Sequence, residues 1–412
     1  MRHVLILNSD KQEPLSVLQQ FPDLRHTVMT SEALRSFYPE GSVVGVSDLG
    51  DVGAVLARAS EVVGPGGVTD VVAMTERAVP TAAFLRSYFG LPGMKYDQAL
   101  IFSNKVAMKR ALAPHVPVMA FEPAASLDDL PARGEHLGWP VIVKPAFGAG
   151  SEDTIAIHSP SHAQVLDRAG VFDGLRGRRL PLIVERFADV IDEFHCDGVV
   201  RGGRVLFASA SRYFAPPLTV VGDFHGSVHL SPDDPTAQAL VDLHARVVAA
   251  LGLDDGVTHL EVLHTAEGFV VGEVACRPGG GGITTSLRHM YGVDLWREHV
   301  AAALRLPPEV DGARPRHPGK VYGLCGLPAK GGTITRLSSA DALTRLDGVY
   351  AVSMRYKPGD RLSARRSSVF FTGEVFFRLD HADDLRAFLR RLRDTYVCET
   401  DASVQAQGAG TC

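Results

Sequence analysis

The stretch THLEVLHTAEGFVVGEVACRPGGGG, residues 258–282, contains two apolar runs separated by the turn-like segment Thr265–Gly268. This pattern predicts an antiparallel β-hairpin. Glu261 and Glu273 each interrupt one run, and neighbouring antiparallel strands can place both carboxylates on one face. Carboxylates held close in apolar surroundings repel each other unless a cation lies between them, and Mg²⁺ prefers such oxygen ligands. The alternative is that both glutamates face outward on an exposed sheet.

Arg277 follows the second run and precedes Pro278 and four glycines, Gly279–Gly282. A guanidinium can bind a carboxylate through two hydrogen bonds, and glycines let a ligand approach the main chain. We therefore predict that Arg277 contacts a substrate carboxylate, with Gly280 and Gly281 against the ligand. In the alternative interpretation, Arg277 pairs with an acidic side chain and holds the loop.

A second apolar run, Val141–Val143, ends in Lys144 and leads into a turn that contains Gly148, Gly150 and Ser151. Main-chain N–H groups of such a turn can surround phosphate oxygens, and a lysine adds a positive charge. The lysine precedes the glycines, so the segment is not a Walker A loop. A purely structural turn is the alternative interpretation.

Two further segments supply candidate binding groups. An apolar strand ends in the extended stretch Glu185–Ala188, which could offer main-chain groups to a purine. A nearby carboxylate, from Asp192 or Glu193, could accept from ribose hydroxyls. Asn104 is a predicted N-cap for a helix over Asn104–Leu112, and this helix carries Lys105 in its first turn.

The N-terminal part of the chain alternates short β-branched runs with helical patterns, which is typical of βαβ units. Strands are predicted over Val4–Leu7, Ser42–Val46 and Val68–Met74, and a helix over Val79–Phe89. Because functional groups collect at the C-terminal ends of parallel strands, Glu76 is a candidate site residue. A solvated loop carboxylate is the alternative. No G-x-G-x-x-G follows the first strand, which disfavours a dinucleotide site there.

Length and composition limit the class of protein. The 412 residues exceed one ordinary domain, and the net charge of −5 argues against a nucleic-acid partner. No apolar run approaches the ~20 residues that span a bilayer, so no membrane partner is expected. The five scattered cysteines lack CxxC spacing, which favours a protein without disulfides in a reducing cytoplasm.

The ordered set of these motifs resembles the ATP-grasp superfamily of carboxylate–amine ligases, over roughly residues 100–305. The resemblance implies a mixed α/β and α+β architecture, namely an ATP-grasp fold with an N-terminal Rossmann-like α/β domain and a C-terminal β-rich lobe. The implied units are an N-terminal domain (1–97), a small lid subdomain (98–190), a large subdomain (191–306), the C-terminal lobe (307–400) and a frayed tail (401–412).

The resemblance also implies roles for individual residues, in catalysis and in the binding of ATP, magnesium and substrate. The residues implied to bind ATP are Lys105, Lys144, Gly148, Gly150, Ser151, Glu185, Arg186, Phe187, Ala188 and Glu193. The implied magnesium ligands are Glu261 and Glu273, with Mn²⁺ as an allowed substitute. Catalysis is assigned to Arg277 and Lys144, and substrate binding to Glu76, His225, Arg277, Gly280 and Gly281.

One position departs from the superfamily pattern. Many members have Glu-x-Asn-x-Arg with the asparagine as a further metal ligand, whereas this chain has Ala275 there. One of two magnesium sites could therefore be weaker. In another segment, His225 and His229 occur where substrate contacts could form, although surface or turn histidines are the favoured interpretation.

Within the superfamily the chain is most similar to L-amino-acid (dipeptide) ligases. The implied reaction is ATP-dependent amide formation through an acyl phosphate, with release of ADP and phosphate, in a specialised biosynthetic pathway. The expected partners are small amino-acid substrates, and a homodimer is allowed. The activated group could be an α-carboxylate or a side-chain carboxylate, as in γ-glutamyl products. The alternatives are a purine-pathway or carboxylase-like ligase, and an ATP-binding protein without catalysis.

Overall fold

The computed structural model describes residues 2–9, 11, 13–148, 150, 152–178, 181–220, 222–310, 312–362 and 370–401. Within these residues the chain has a mixed α/β architecture built on four sheets. In the same part of the chain, no helix is both long enough and apolar enough to cross a membrane. Ser151 and nearly all of the predicted tail lie outside the described residues.

The N-terminal residues form a four-stranded parallel sheet in the order β3-β2-β1-β4. Its strands are β1 (Arg2–Leu7), β2 (Leu24–Ser31), β3 (Val43–Val46) and β4 (Asp70–Ala73). Its α-helices are α1 (Glu13–Ser16), α2 (Val52–Gly66) and α3 (Val79–Tyr88). The three predicted strands and the predicted helix are therefore confirmed, whereas β2 was not predicted. The first half of β2 is partly exposed and carries Arg25, His26 and Thr27, which obscure its apolar pattern.

A smaller antiparallel sheet has the order β5-β8-β6-β7. Its strands are β5 (Phe121–Ala124), β6 (Val141–Pro145), β7 (Ile155–Ile157) and β8 (Leu182–Arg186). The helices of this region are α4 (Tyr96–Ile101), α5 (Lys105–Leu112), α6 (Leu130–Leu137), α7 (Pro160–Arg168) and α8 (Asp173–Arg178). Asn104 caps α5 as predicted, since its side chain accepts from the N–H groups of Val106 and Ala107.

The largest sheet has eight antiparallel strands in the order β13-β12-β9-β10-β11-β14-β18-β16. These strands are β9 (Asp192–Arg201), β10 (Arg204–Tyr213), β11 (His225–His229), β12 (Gly256–Thr265), β13 (Gly268–Ala275), β14 (Val321–Pro328), β16 (Val349–Met354) and β18 (Phe371–Leu379). A three-stranded sheet adds β15 (Gly332–Leu337), β17 (Arg361–Leu362) and β19 (Cys398–Thr400). The remaining helices are α9 (Pro235–Ala250), α10 (Ile283–Tyr291), α11 (Leu295–Ala303), α12 (Ala340–Thr344) and α13 (Leu385–Thr395).

The two faces of the large sheet have different surroundings, because successive side chains of a strand point to opposite sides. On one face, Cys196 and Leu260 pack with Leu240 and Val247 of α9 in the main apolar core. The other face of the sheet carries polar side chains from β9, β12 and β13. The sheet therefore presents a row of charged side chains from a rigid, well-packed support.

The N-terminal sheet is covered on both sides, as expected for parallel strands. One side packs against α2 and α3, whereas Val4 and Ile6 pack with Trp296 and Val300 of α11. This contact fixes the N-terminal sheet against the large sheet. It also brings the loop that follows β4 close to the end of β13.

Candidate active site

Two carboxylates face each other on the hairpin formed by β12 and β13. The strands pair antiparallel and Glu261 lies directly opposite Glu273, as the sequence predicted. Both side chains are only partly exposed, at 34% and 24%. Lys105 contacts one member of this pair, with its Nζ 2.9 Å from Oε1 of Glu273 and 2.6 Å from the carbonyl oxygen of Gly148.

The carboxylates are close enough to alter one another's pKa. Burial, reinforced by the charge of Glu261, raises the pKa of Glu193 to about 8. Burial also raises the pKa of Glu273, and the charges of Glu76 and Glu261 add to the effect against the opposing effect of Lys105. Such a group of oxygen donors, with more negative than positive charge, fits a divalent cation.

A chain of hydrogen-bonded polar residues, which was not predicted from the sequence, ends at Glu261. His195 contacts Asp197 Oδ2 through Nδ1 at 2.6 Å and Ser227 through Nε2 at 2.8 Å. The other oxygen of Asp197 is 2.9 Å from Nδ1 of His259, whose Nε2 is 3.5 Å from Oε1 of Glu261. The alternation of His195 and Asp197 with apolar residues in β9 was the available signal, because residues two apart share a face.

This chain sets the charge of Glu261. Although burial opposes ionisation of both groups, Asp197 and Glu261 raise the pKa of His259 to about 10. In turn, the hydrogen bond and charge of His259 outweigh burial and lower the pKa of Glu261 to about 2. Glu261 is therefore an ionised oxygen donor at neutral pH. His195, Asp197 and His259 also have ligand atoms within 4.8 Å of one another, but these atoms are already joined by the hydrogen bonds described above.

A second group of buried charges lies on the small sheet. Glu185 of β8 contacts two lysines, with its oxygens 3.0 Å from Nζ of Lys144 and 3.5 Å from Nζ of Lys109. Lys109 is completely buried. Burial lowers the pKa of Lys109, whereas Glu185 and Glu273 outweigh burial and raise the pKa of Lys144. The group contains more positive than negative charge, which suits an anion.

The side chain of Glu185 is thus occupied by lysines, and the residues after it are extended. The N–H groups of Arg186 and Phe187 donate to the carbonyl oxygens of Ala120 and Pro140. In the part of the chain that the structure describes, the N–H of Ala188 has no acceptor. The N–H groups of Arg186 and Phe187 are therefore already used within the protein. The predicted contacts to a purine are limited to the other main-chain groups of Glu185–Ala188.

The predicted substrate residues Arg277 and Glu76 contact each other. Arg277 directs Nε and Nη2 at Oε2 of Glu76, with an Nε–Oε2 distance of 2.8 Å. Both side chains are 13% exposed, and Glu76 outweighs burial in raising the pKa of Arg277. The pairing proposed as the alternative for Arg277 is present, and it joins residues from the ends of β4 and β13. The interpretation of Glu76 as a solvated carboxylate is wrong.

The two candidate histidines lie within β11 and are buried, so their interpretation as surface or turn residues is wrong. His229 contacts Ser211 and Ser286, and burial lowers its pKa to about 3. His225 stacks on Tyr213 at a ring-centroid distance of 5.1 Å. Its buried Nδ1 has no hydrogen-bond partner among the described residues, which leaves a polar atom for a ligand.

Three glycines of the predicted site adopt backbone conformations that favour glycine. Gly148 and Gly150 have φ values of 141° and 69°, and Gly281 has a φ of 62°. A Cβ atom added at Gly280 would meet no atom within 4 Å, which agrees with open space next to this loop. Ala275 is buried at the end of β13 and offers no ligand atom.

Three features together define an ATP-grasp enzyme. They are the lysines of the small sheet, the paired carboxylates of the large sheet and the N-terminal parallel sheet. Solved structures share this fold. An L-amino acid ligase from Bacillus licheniformis has a TM-score of 0.77 at 19% identity, covering 97% of this chain and 99% of that one. A carboxyaminoimidazole ribonucleotide synthase from Aspergillus clavatus, complexed with ATP, has a TM-score of 0.72 at 15% identity, covering 96% and 98%.

No protein-family model matches the chain. It is 33% identical over 405 residues to an L-arginine-specific L-amino acid ligase of Bacillus subtilis, covering 96% of this chain and 97% of the relative. A dapdiamide A synthase of Enterobacter agglomerans is 22% identical over 345 residues, covering 80% of each. The chain belongs to the L-amino-acid ligase family, whose members form amide bonds with ATP, and the resemblance predicted from its motifs is confirmed.

Proposed function

We propose that this enzyme joins two amino acids through an acyl phosphate. A carboxylate oxygen of the first substrate attacks the γ-phosphorus of ATP and ADP leaves. The amine of the second substrate then attacks the carbonyl carbon, phosphate leaves, and the nitrogen loses a proton to give the amide. The observation that carries the proposal is the adjacency of a lysine-rich group, a carboxylate pair and the Arg277–Glu76 pair.

The lysine-rich group is proposed to bind the phosphates of ATP. Lys144 and Lys105 supply positive charge, and the turn with Gly148, Gly150 and Ser151 supplies main-chain N–H groups. Support comes from the surplus of positive charge around Glu185. Main-chain groups within Glu185–Ala188 are proposed to meet the adenine, and Glu193 to meet the ribose.

Glu261 and Glu273 are proposed to hold Mg²⁺, with Mn²⁺ as an allowed substitute. Support comes from their direct opposition and from the ionised state of Glu261. A bound divalent cation neutralises phosphate charge during transfer. Because Ala275 supplies no ligand, water or phosphate oxygens would complete the coordination of a bound ion. His259 keeps the carboxylate of Glu261 charged and oriented toward the cation site.

The substrates are proposed to bind next to Arg277. Its guanidinium suits the activated carboxylate or the forming acyl phosphate, and the carboxylate of Glu76 suits an ammonium group. His225 adds a buried nitrogen, and Gly280 and Gly281 leave room for a ligand against the main chain. Arginine is the first amino acid to test, since the relative from Bacillus subtilis is named for it.

A cytoplasmic location and a homodimer also belong to the proposal. The location is supported by Cys196, Cys276, Cys325 and Cys398, which are buried and free thiols.

The predicted domain boundaries stay predictions. The one at 306/307 falls between α11 and β14, and the strands on both sides of it belong to the same eight-stranded sheet.

A phosphate-release screen over pairs of amino acids, with mass spectrometry of the products, tests the proposed function. We expect ADP and phosphate to form only when a productive pair is present, together with a mass that equals the two amino acids minus water. ATP binding without amino-acid-dependent ADP release would instead support a non-catalytic ATP-binding protein.

A further inference from the structure

A cavity of about 480 Å³ lies between α13 and the strands β10 and β11. Four arginines contribute to its lining, from both walls: Arg212, Arg386, Arg390 and Arg393. Asp192 is the acidic residue of the lining, and Val228 and Leu389 are among its apolar residues. In a chain with a net charge of −5, this is a marked local concentration of positive charge. We refer to it as the arginine groove.

The arginine groove lies on the face of the large sheet opposite to the carboxylate pair. Arg212 is paired in register with Phe194 and Val228. Phe194 packs in the core under α9, and Val228 packs with residues of α13. Glu261 is paired with His195, the neighbour of Phe194, and adjacent side chains of a strand point to opposite faces. Arg212 and the arginines of α13 therefore lie on the opposite side of the sheet from the carboxylate pair, although the lining also includes Tyr213, which stacks on His225.

Most of this positive charge is not neutralised within the protein. Arg393 pairs with Asp223 at 3.3 Å and its guanidinium lies 5.3 Å from the ring centroid of Phe224. Within the described ranges, by contrast, no acidic side chain forms an ion pair with Arg212, Arg386 or Arg390. These three arginines are exposed, so their donors are accessible to a ligand.

The arrangement on α13 brings like charges together. Arg386 and Arg390 are four residues apart and Arg393 follows three residues later, so all three lie on neighbouring turns of one helix face. Like charges at such spacing destabilise a helix. An anion in the groove would remove this repulsion.

We propose that the arginine groove binds a small anion that carries two or more phosphate groups. Guanidinium groups donate two parallel hydrogen bonds to phosphate oxygens, and several of them require a ligand with several negative charges. The volume falls within the range of about 300–1,000 Å³ that is typical of small-molecule sites. The proposal is independent of the roles assigned to the ATP site.

Calorimetric titration with inorganic tripolyphosphate, in buffer with EDTA at physiological ionic strength, tests this site. We expect Arg390→Gln to weaken binding about tenfold, since one charge-assisted contact is lost. Arg212→Gln, on the opposite wall, should have a similar effect. Arg391→Gln is the matched control, because Arg391 is an exposed neighbour on α13 that does not line the groove.

Lys144→Ala separates this site from the proposed ATP site. The account predicts that tripolyphosphate still binds to this variant in the groove. Binding that is lost in Lys144→Ala but unchanged in Arg390→Gln would place the anion only at the ATP site and overturn the proposal. Equal weakening by Arg390→Gln and Arg391→Gln, or no binding to the wild-type protein, would overturn it as well. Melting temperatures check that each variant is folded.

Discussion

Two neighbouring groups of charged side chains, one buried and one partly exposed, differ in the sign of their surplus charge. On the small sheet, Lys109 and Lys144 share the single carboxylate of Glu185. On the large sheet, Glu261 and Glu273 are accompanied by the single lysine Lys105, which pairs with Glu273. The groups are close enough for Glu273 to raise the pKa of Lys144. A surplus of either sign is unfavourable in a protein interior, so each group suits a ligand charge of the opposite sign. Phosphates and Mg²⁺ supply those two charges.

The largest expected effect comes from removing the one negative charge of the lysine group. Glu185→Gln leaves Lys109 and Lys144 buried without a counter-charge, and breaking a buried pair in this way destabilises a protein by ~3–5 kcal/mol. We expect denaturant unfolding to show this loss. If the lysines bind phosphate, saturating Mg²⁺–ATP should restore part of the melting temperature. A variant as stable as the wild type would contradict the charge assignment.

Lys144→Ala is expected to reduce ADP formation about 10²- to 10³-fold, the range found when one preorganised electrostatic contact is removed. The fold should persist, because Glu185 keeps Lys109 as a partner. Lys105→Ala should raise the ATP concentration required for activity in the same assay. Near-normal turnover of Lys144→Ala in a folded protein would remove its phosphate role.

Arg277→Lys tests the proposed contact between Arg277 and the substrate. A lysine retains the charge next to Glu76 but loses the planar pair of donors, so we expect a loss of roughly 2 kcal/mol, or about 30-fold in ligation, with ATP binding retained. Glu76→Gln is the companion variant. If Arg277 only held the loop, both variants would lower the melting temperature together with activity, and neither would act on activity alone.

The smallest effect is expected from Asp197→Asn, which keeps the size of the side chain but weakens its hold on His259. Mutation of a residue that hydrogen-bonds to a metal ligand typically changes metal affinity by about 10- to 100-fold. We expect a decrease of about tenfold for Asp197→Asn. The concentration of Mg²⁺ that supports half-maximal ADP formation measures it. An unchanged Mg²⁺ requirement would show that His259 does not act through Glu261.

How well each feature could be predicted from the sequence depended on how far apart its residues lie along the chain. The hairpin with Glu261 and Glu273 was predictable because a turn and two apolar runs define it locally. The contact between Arg277 and Glu76 was not, because 201 positions separate them and only the packing of the N-terminal sheet brings them together. Likewise, the chain from His195 to His259 depends on the pairing of β9 with β12.

The placement of His225 in a buried strand was missed for a related reason. Its local sequence, Asp223-Phe224-His225-Gly226, has the composition of a turn, whereas β11 is stabilised by pairing with β10 and with the distant β14. The arginine groove could not be foreseen either, since it combines β10 with α13. Motif order therefore predicted the family and much of the proposed site, and tertiary pairing supplied the rest.

The dependence of ADP binding on Mg²⁺ tests the central claim most directly. Calorimetric titrations of ADP, with and without Mg²⁺, are compared for the wild type, for Glu261→Gln/Glu273→Gln, and for the control Glu61→Gln on the exposed face of α2. The account predicts that Mg²⁺ strengthens ADP binding by about tenfold or more, ~1.4 kcal/mol, in the wild type and the control but not in the double variant. Equal strengthening by Mg²⁺ in all three proteins would contradict it.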